Sequence, residues 1–162
     1  MGGELLYLDS SALVKLVLPE AESAALQESL ADWPAHVTSE LASVEVLRAV
    51  RRVAVDAALE ERAEEVVASV HLVKIDNEVL GQAARLEPRT LRSLDALHLA
   101  TALSLGSDLG AIAVYDGPLA RAAAECGIKV VAPGPDTSPT PRQQMTGTEP
   151  EDESAEPAQG ES

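Results

Sequence analysis

Four acidic residues stand at positions where the surrounding sequence is largely apolar. Asp9 ends the run LLYL, and Asp116 follows the run AIAVY. Glu45 lies in the helix-like stretch ELASVEVLRAV, and Asp95 is the one carboxylate of SLDALHLATALSL. Carboxylates are groups that acid–base catalysis and divalent cations use, so these four are the first candidates for chemistry.

If the runs before Asp9 and Asp116 are parallel strands, both side chains reach the carboxyl edge of the sheet, where α/β proteins bind ligands. Asp95 and Glu45, on helices, can complete a cluster there. Several carboxylates without matching Lys or Arg would repel one another, and a divalent cation removes that repulsion. Hard oxygen ligands favour Mg²⁺ or Mn²⁺ over zinc. These ions act on phosphate oxygens, so the pattern predicts phosphoester hydrolysis.

Each acid also has an ordinary structural explanation. An Asp before a helix is a common cap or turn residue, and for Asp9 or Asp116 taken alone this is the favoured interpretation. Asp95 suits the positive end of a helix dipole, and Glu45 could pair with Arg48 one turn further on. Two aspartates at matching strand ends shift the balance toward a site.

Glu40 and Glu45 are alternatives for the helix contribution, because they lie five positions apart. At about 100° per residue they point about 140° apart, so only one can face a site. Glu45 lies among apolar residues, where an acid needs a reason, and we therefore choose it. His98 shares the face of Asp95, but a lone His on an apolar helix is expected to be packed rather than functional.

Composition sets the class of protein. With 162 residues, 46% of them hydrophobic, the chain can build one domain with a sizeable core. Its net charge of −15 argues against broad nonspecific binding of nucleic acid. Cys126 is the single cysteine, which excludes an intrachain disulfide and a cysteine-rich zinc site. The N-terminal region has neither a basic leader nor an apolar run of membrane length, so a cytoplasmic protein without membrane contact is expected.

The chain divides into two regions. Residues 1–134 carry the apolar pattern expected of one folded domain. Residues 135–162 are rich in Pro, Ser, Thr and Glu and hold seven acidic residues against one Arg. A segment with so little to bury is expected to be a disordered, acidic tail.

Short apolar runs alternate with helical patterns along residues 1–134. Strands are predicted at 5–8, 36–38, 70–75, 111–115 and 130–132. Helices are predicted to begin after Ser10 or Ser11, near Ala21, after Ser39, at Asp56, after Asp76, at Ser93 and at Pro118. Nearly all-apolar strands separated by helices predict a three-layer α/β/α sandwich around a mainly parallel sheet.

Four stretches carry these acids in order: YLDSSALVKLVLPE, VTSELASVEVLRAVRR, LRSLDALHLATAL and AVYDGPLARAAAECGIKVV. They resemble the four acidic blocks of PIN-domain ribonucleases, and most closely those of the VapC toxins of bacterial type II toxin–antitoxin systems. The resemblance covers residues 5–132 and leaves the tail outside it.

The resemblance implies that Asp9, Glu45, Asp95 and Asp116 are metal-binding and catalytic acids, with Ser11 as a small polar residue beside the first. It implies an endoribonuclease that uses Mg²⁺ or Mn²⁺ to activate water, cuts structured cellular RNA and leaves a 5′-phosphate. The implied partners are a second copy of the chain and a VapB-type antitoxin whose C-terminal segment covers the site.

One departure concerns the last block. Many family members carry another acid shortly after the fourth one, whereas Gly117 and Pro118 follow Asp116 here. This departure weakens the expectation of a second metal ion.

Arginines are the local candidates for phosphate contacts on this acidic chain, because specific docking of RNA needs such patches. For Arg51 and Arg52 a solvated helix face is the favoured interpretation. The predicted substrate-binding residues are Ser11, Arg48, Arg89 and Arg92, with Arg85 nearby in sequence.

Two other functions compete with the nuclease. A receiver-like or aspartyl-phosphatase domain would carry paired acids or Asp-x-Asp after its first strand, and DSSA has neither. A catalytically silent PIN-like interaction module would have the same fold, and the presence of all four acids weighs against it.

Overall fold

Five parallel strands form one sheet in the computed structural model, which describes residues 3–135. Their order across the sheet is third, second, first, fourth, fifth. The winding direction therefore reverses between the first and fourth strands, where a parallel sheet opens a crevice at its carboxyl edge. The strands are β1 Leu5–Leu8, β2 Ala35–Ser39, β3 His71–Val73, β4 Leu109–Ala113 and β5 Val130–Val131.

Within residues 3–135, seven α-helices lie between the strands. None of the helices in the described part of the chain is long and apolar enough to cross a lipid bilayer. The helices are α1 Ser10–Val17, α2 Ser23–Leu30, α3 Ala42–Val53, α4 Ala57–Ala68, α5 Asn77–Ala83, α6 Ser93–Ser104 and α7 Gly117–Glu125.

Alternation along β1 sorts the core into two halves. Leu6 and Leu8 pack on one side of the sheet with residues of α1, α3 and α4, including Leu13. Tyr7 packs on the other side with α6 and α7 through Leu99 and Leu119. Each fully buried leucine contributes roughly 1.5–3 kcal/mol. The predicted three-layer α/β/α sandwich with a parallel sheet is confirmed.

Two predicted helix starts are wrong, and both errors concern serines. The N-cap of α1 is Asp9, one residue before the predicted Ser10, because its carboxylate reaches the N–H of Ser11. Helix α3 begins at Ala42 rather than after Ser39. Ser39 is kept in β2, where its N–H donates to the buried hydroxyl of Tyr7 at 3.1 Å.

Two strands end two residues earlier than predicted. β4 ends at Ala113, before the predicted residue 115, because the neighbouring β1 ends opposite it at Leu8. Asp116 therefore follows a short loop and caps α7 rather than ending the strand directly. β3 ends at Val73. Beyond it, the N–H of Ile75 donates to the side chain of Glu40 at 2.8 Å instead of to a neighbouring strand.

Both halves of the core lie within residues 5–131, and residues 136–162 of the predicted tail lie outside the described residues. Truncation after Gly134 should therefore leave the midpoint of thermal unfolding within about 1 °C of the full chain, since no core residue is lost. Calorimetry of the two proteins measures this. A fall of several degrees would show that the tail contributes to the folded domain.

Candidate active site

Asp9 lies directly after β1 and caps α1. Its Oδ2 accepts hydrogen bonds from the N–H of Ser11 at 3.1 Å and from the Ser11 hydroxyl at 2.6 Å. Its own N–H donates to the carbonyl of Ala113 at 3.0 Å, which fixes it at the boundary of β1 and β4. The residue is buried. Asp9 is thus a helix cap and also a carboxylate at the crevice, so its two interpretations are compatible.

Ser11, in the first turn of α1, ties the junction of β1 and α1 to the loop after β4. Its hydroxyl donates to Asp9 and accepts from the N–H of Tyr115 at 3.0 Å. Tyr115 directly precedes Asp116, so one side chain holds the junction of β1 and α1 against the loop after β4. In this structure the hydroxyl organises the acids, and its predicted contact with substrate stays a prediction.

Glu45 contacts a histidine instead of the arginine that its sequence spacing offered. Its Oε1 lies 2.6 Å from Nε2 of His98 on α6, whereas Arg48 is exposed. The same Nε2 lies 3.8 Å from Oδ1 of Asp9. His98 is packed, as expected, with 1% of its side chain exposed. It also joins two of the four acids, which the sequence did not predict.

Asp95 and Asp116 share one arginine. Asp95 lies in the first turn of α6, and Asp116 caps α7 through the N–H of Leu119 at 3.1 Å. Arg92 precedes α6 and places Nε 3.2 Å from Asp95 Oδ2 and Nη2 3.1 Å from Asp116 Oδ2. The expectation that no basic side chain matches the acids is therefore wrong for this pair. Because 74% of the Arg92 side chain is exposed, water screens both ion pairs.

Three of the acids act on one another electrostatically, and Glu45, Asp9 and Asp95 all act on His98. Burial raises the pKa of Asp95, and the charges of Asp116 and Asp9 raise it further, while Arg92 acts in the opposite direction. Burial by itself lowers the pKa of His98. The hydrogen bond to Glu45 and the surrounding carboxylates outweigh that effect, so the pKa of His98 is raised above its ordinary value.

The donor chemistry of this edge fits a hard divalent cation, since all four candidate ligands are carboxylates. Their present arrangement is not a coordination shell. Within residues 3–135, no three His, Cys, Asp or Glu side chains are grouped so that they could hold a metal ion. Arg92 lies against Asp95 and Asp116, and His98 holds Glu45. A cation could bind all four only if Arg92 moved away, and Mg²⁺ or Mn²⁺ stays a prediction.

Comparison with known proteins decides the family. The PIN-domain profile matches residues 6–125. Ribonuclease VapC46 of Mycobacterium tuberculosis is 44% identical over 128 residues, a match that covers 79% of this chain and 97% of that protein. The chain is a PIN domain of the VapC family.

Solved structures agree with the PIN fold. VapC20 of Mycobacterium tuberculosis, described as a sarcin–ricin loop cleaving toxin, superposes with a TM-score of 0.64 at 18% identity, over 79% of this chain and 99% of its own. A toxin–antitoxin complex from Klebsiella pneumoniae matches with a TM-score of 0.55 at 18% identity, over 68% of this chain and 86% of the other. At such identities these neighbours support the fold alone.

A groove of about 530 Å³ opens beside the acids of this PIN domain. It combines charged residues of the predicted site with apolar side chains exposed to solvent. Val44 is 58% exposed and Leu94 is 48% exposed. Its other lining residues include Ser11, Glu45, Arg48 and Arg52.

The remaining candidate arginines of the PIN domain lie on its surface. Arg51 pairs with Glu60 at 3.1 Å, which supports the solvated interpretation of that residue. Arg89 pairs with Glu87 at 3.2 Å, with 91% of its side chain exposed. Arg85 donates to the carbonyl of Gly81 at 2.7 Å. The partners of these three arginines do not include the four acids. Any contact of these arginines with RNA stays a prediction.

Sequence reasoning missed the supporting residues of the site. The sequence predicts Tyr7 only as part of a buried strand, but its hydroxyl lies 2.7 Å from Nδ1 of His98. The available signal was the spacing of His98, three residues after Asp95 on a helix with few other polar groups. A buried polar side chain needs partners, and here the partners are the acids.

Replacing Asp95 by Asn should raise the thermal stability of the PIN domain in chelator, because the change removes a desolvated charge that Asp116 and Asp9 repel. A gain of about 1 kcal/mol would raise the melting temperature by roughly 2–4 °C in a domain of this size. Replacing Arg92 by Gln should lower it, because the change leaves two carboxylates without their shared cation. Calorimetry in EDTA measures both.

Asp76→Asn is the matched control. Asp76 caps α5 through the N–H of Val79 at 2.9 Å, and Asn caps helices about as well as Asp, so little change is expected. A lower melting temperature for Asp95→Asn, or a higher one for Arg92→Gln, would show that structural hydrogen bonds, rather than crowded charges, dominate this edge.

Proposed function

We propose that this PIN domain is a metal-dependent endoribonuclease and the toxin of a toxin–antitoxin pair. The observation that carries the proposal is the convergence of Asp9, Glu45, Asp95 and Asp116 on the carboxyl edge of the sheet, around the crevice between β1 and β4. The name of the relative VapC46, a ribonuclease that matches nearly along its whole length, supports the same activity.

The four acids would hold the ion, with Mg²⁺ as the expected metal and Mn²⁺ as a substitute. When bound, such an ion polarises phosphate oxygens and lowers the pKa of a bound water, which makes that water a nucleophile at neutral pH. The chain contributes the fixed positions of the ligands. Ser11 holds Asp9, and His98 holds Glu45.

Arg92 has a second role in this proposal. Its guanidinium is exposed and bound to the acids by screened ion pairs, so a scissile phosphate can compete for it. Arginine binds phosphate with two parallel N–H groups. Arg92 would then move from Asp95 and Asp116 to the RNA, leaving the carboxylates available to the metal.

The proposed substrate class, structured cellular RNA, is the one that the family resemblance implies, and the charge of the chain is compatible with it. A chain with net charge −15 repels RNA at long range, so binding depends on local contacts with a particular folded shape. Structured RNAs such as transfer or ribosomal RNA fit this requirement. As the resemblance implies, attack of water on the phosphorus with loss of the 3′-oxygen would leave a 3′-hydroxyl on the upstream fragment and a 5′-phosphate on the downstream one. Arg48 beside the acids and Arg89 on the loop before α6 are the further candidates for phosphate contacts.

The competing function is a catalytically silent PIN module. The observation that favours it is the closed state of the acids, which are occupied by Arg92 and His98 instead of forming a metal-binding group. The phosphotransfer alternative lacks support, because Ser10 and Ser11 stand where its paired acids would be required. Cleavage assays separate the silent module from the nuclease.

The groove beside the acids is the proposed seat of an antitoxin. An apolar segment of a VapB-type partner would cover Val44 and Leu94 and so close access to Glu45 and Arg48. The partner is the one that the family resemblance implies, and the exposed apolar side chains of the groove support its place. We also propose a homodimer in the cytoplasm, as the family resemblance implies. Co-purification with the product of the adjacent gene and sedimentation velocity measure these two assemblies.

The nuclease proposal predicts that cleavage of structured RNA stops in excess EDTA and returns when Mg²⁺ or Mn²⁺ is added. Asp95→Asn should lose roughly 100-fold or more in rate, while melting no lower than the wild type. Asp76→Asn, the capping control, should cleave normally. Gel analysis of a panel of transfer and ribosomal RNA fragments measures this. Equal cleavage by the wild type in excess chelator would contradict the metal mechanism.

A further inference from the structure

A column of buried polar groups runs beneath the acids. At its centre, the ring of His98 has Nδ1 2.7 Å from the hydroxyl of Tyr7 and Nε2 2.6 Å from Oε1 of Glu45. Nε2 also lies 3.2 Å from the hydroxyl of Ser10 and 3.8 Å from Oδ1 of Asp9. A leucine could fill this interior position without the cost of desolvating a polar ring, so the polar contacts call for an explanation beyond packing.

The N–H of Ser39 determines the direction of the hydrogen bonds in this column. The N–H of Ser39 donates to the Tyr7 oxygen at 3.1 Å, which leaves the Tyr7 proton to donate to Nδ1 of His98. Burial raises the pKa of Tyr7 well above its ordinary value, so that proton is retained. Nε2 then carries the ring proton and donates to Glu45. An imidazolium would also donate from Nε2, so the contact with Glu45 has the same direction in either state.

The contact also joins elements on opposite sides of the sheet. His98 lies on α6, which packs with Tyr7, whereas Glu45 lies on α3, which packs with Leu6 and Leu8. Glu45 is 25% exposed, so without a fixed donor its carboxylate could take several rotamers. A single donor at 2.6 Å selects one of them.

We propose that His98, kept in a fixed orientation by Tyr7, is a positioning residue that sets the carboxylate of Glu45 for the reaction. The inference rests on the proposed nuclease function and adds a residue that does not touch the substrate. It assigns Tyr7 the role of orienting the ring. Ser10, at the longer distance of 3.2 Å, is secondary.

Two substitutions at one position test the donor. In His98→Gln, the side-chain amide nitrogen overlies the former Nε2 and can still donate to Glu45, whereas His98→Leu fills the space without a donor. His98→Leu should lower kcat by roughly 10-fold or more, as loss of such supporting contacts does, with KM for RNA nearly unchanged. His98→Gln should recover most of that rate.

Thr101→Val is the matched control. Thr101 lies one turn further along α6, is buried, and donates to the carbonyl of Leu97 at 2.7 Å without contacting the acids. Its loss should lower the melting temperature while leaving kcat at the wild-type value. If His98 had a purely structural role, kcat of His98→Leu, like that of Thr101→Val, would fall only in proportion to the fraction of unfolded protein.

Crystal structures of the two His98 variants give a readout that does not depend on cleavage. The Glu45 carboxylate should stay within about 0.5 Å of its wild-type position in His98→Gln and change rotamer in His98→Leu. If the wild type does not cleave RNA, the nuclease proposal fails and this displacement still tests the positioning role. Should His98→Leu not fold, Tyr7→Phe replaces it, with the same displacement and a several-fold lower kcat expected. An unmoved Glu45 or wild-type kcat in the donor-free variant would overturn the inference.

Discussion

Crowding of carboxylates at one edge of a parallel sheet, where Asp116 and Asp9 act on the buried Asp95, is the constraint on which this site depends. The reversal of winding between β1 and β4 brings Asp9 and Asp116 to that edge, and α3 and α6 add Glu45 and Asp95. Such a group costs stability unless each charge has a partner. Ser11, His98 and Arg92 supply those partners, so the domain folds with its acids already close together.

The same three side chains hold the layers together at the site. Ser11 links the junction of β1 and α1 to the loop after β4. His98 links the two helical layers across the edge of the sheet. Arg92 links the start of α6 to the start of α7. Changes at the site are therefore expected to alter both charge balance and local geometry. A control variant that keeps the local geometry is therefore needed to measure the effect of charge alone.

Local patterns were sufficient for the architecture. Strands such as β1 and helix caps such as Asp76 depend on residues that are close in sequence. Strands, helices and layers could therefore be predicted from local patterns. The hydrogen-bond and ion-pair partners of the acids could not be predicted in this way. Arg92 and Asp116 are 24 positions apart, and Glu45 and His98 are 53 apart. Such contacts depend on how the helices pack against the sheet in three dimensions. Ser39 shows the same limit: it satisfies a capping pattern, but a distant tyrosine hydroxyl holds it in β2.

Arg92 bridges Asp95 and Asp116, and the central proposal is that it stands where a divalent cation would bind. Anomalous diffraction from crystals of the full chain grown with Mn²⁺ tests it most directly. We predict a manganese peak among the four acids Asp9, Glu45, Asp95 and Asp116, with the Arg92 guanidinium withdrawn from both of its present partners. The account would be contradicted if saturating Mn²⁺ left this edge without a peak and Arg92 still bridged Asp95 and Asp116.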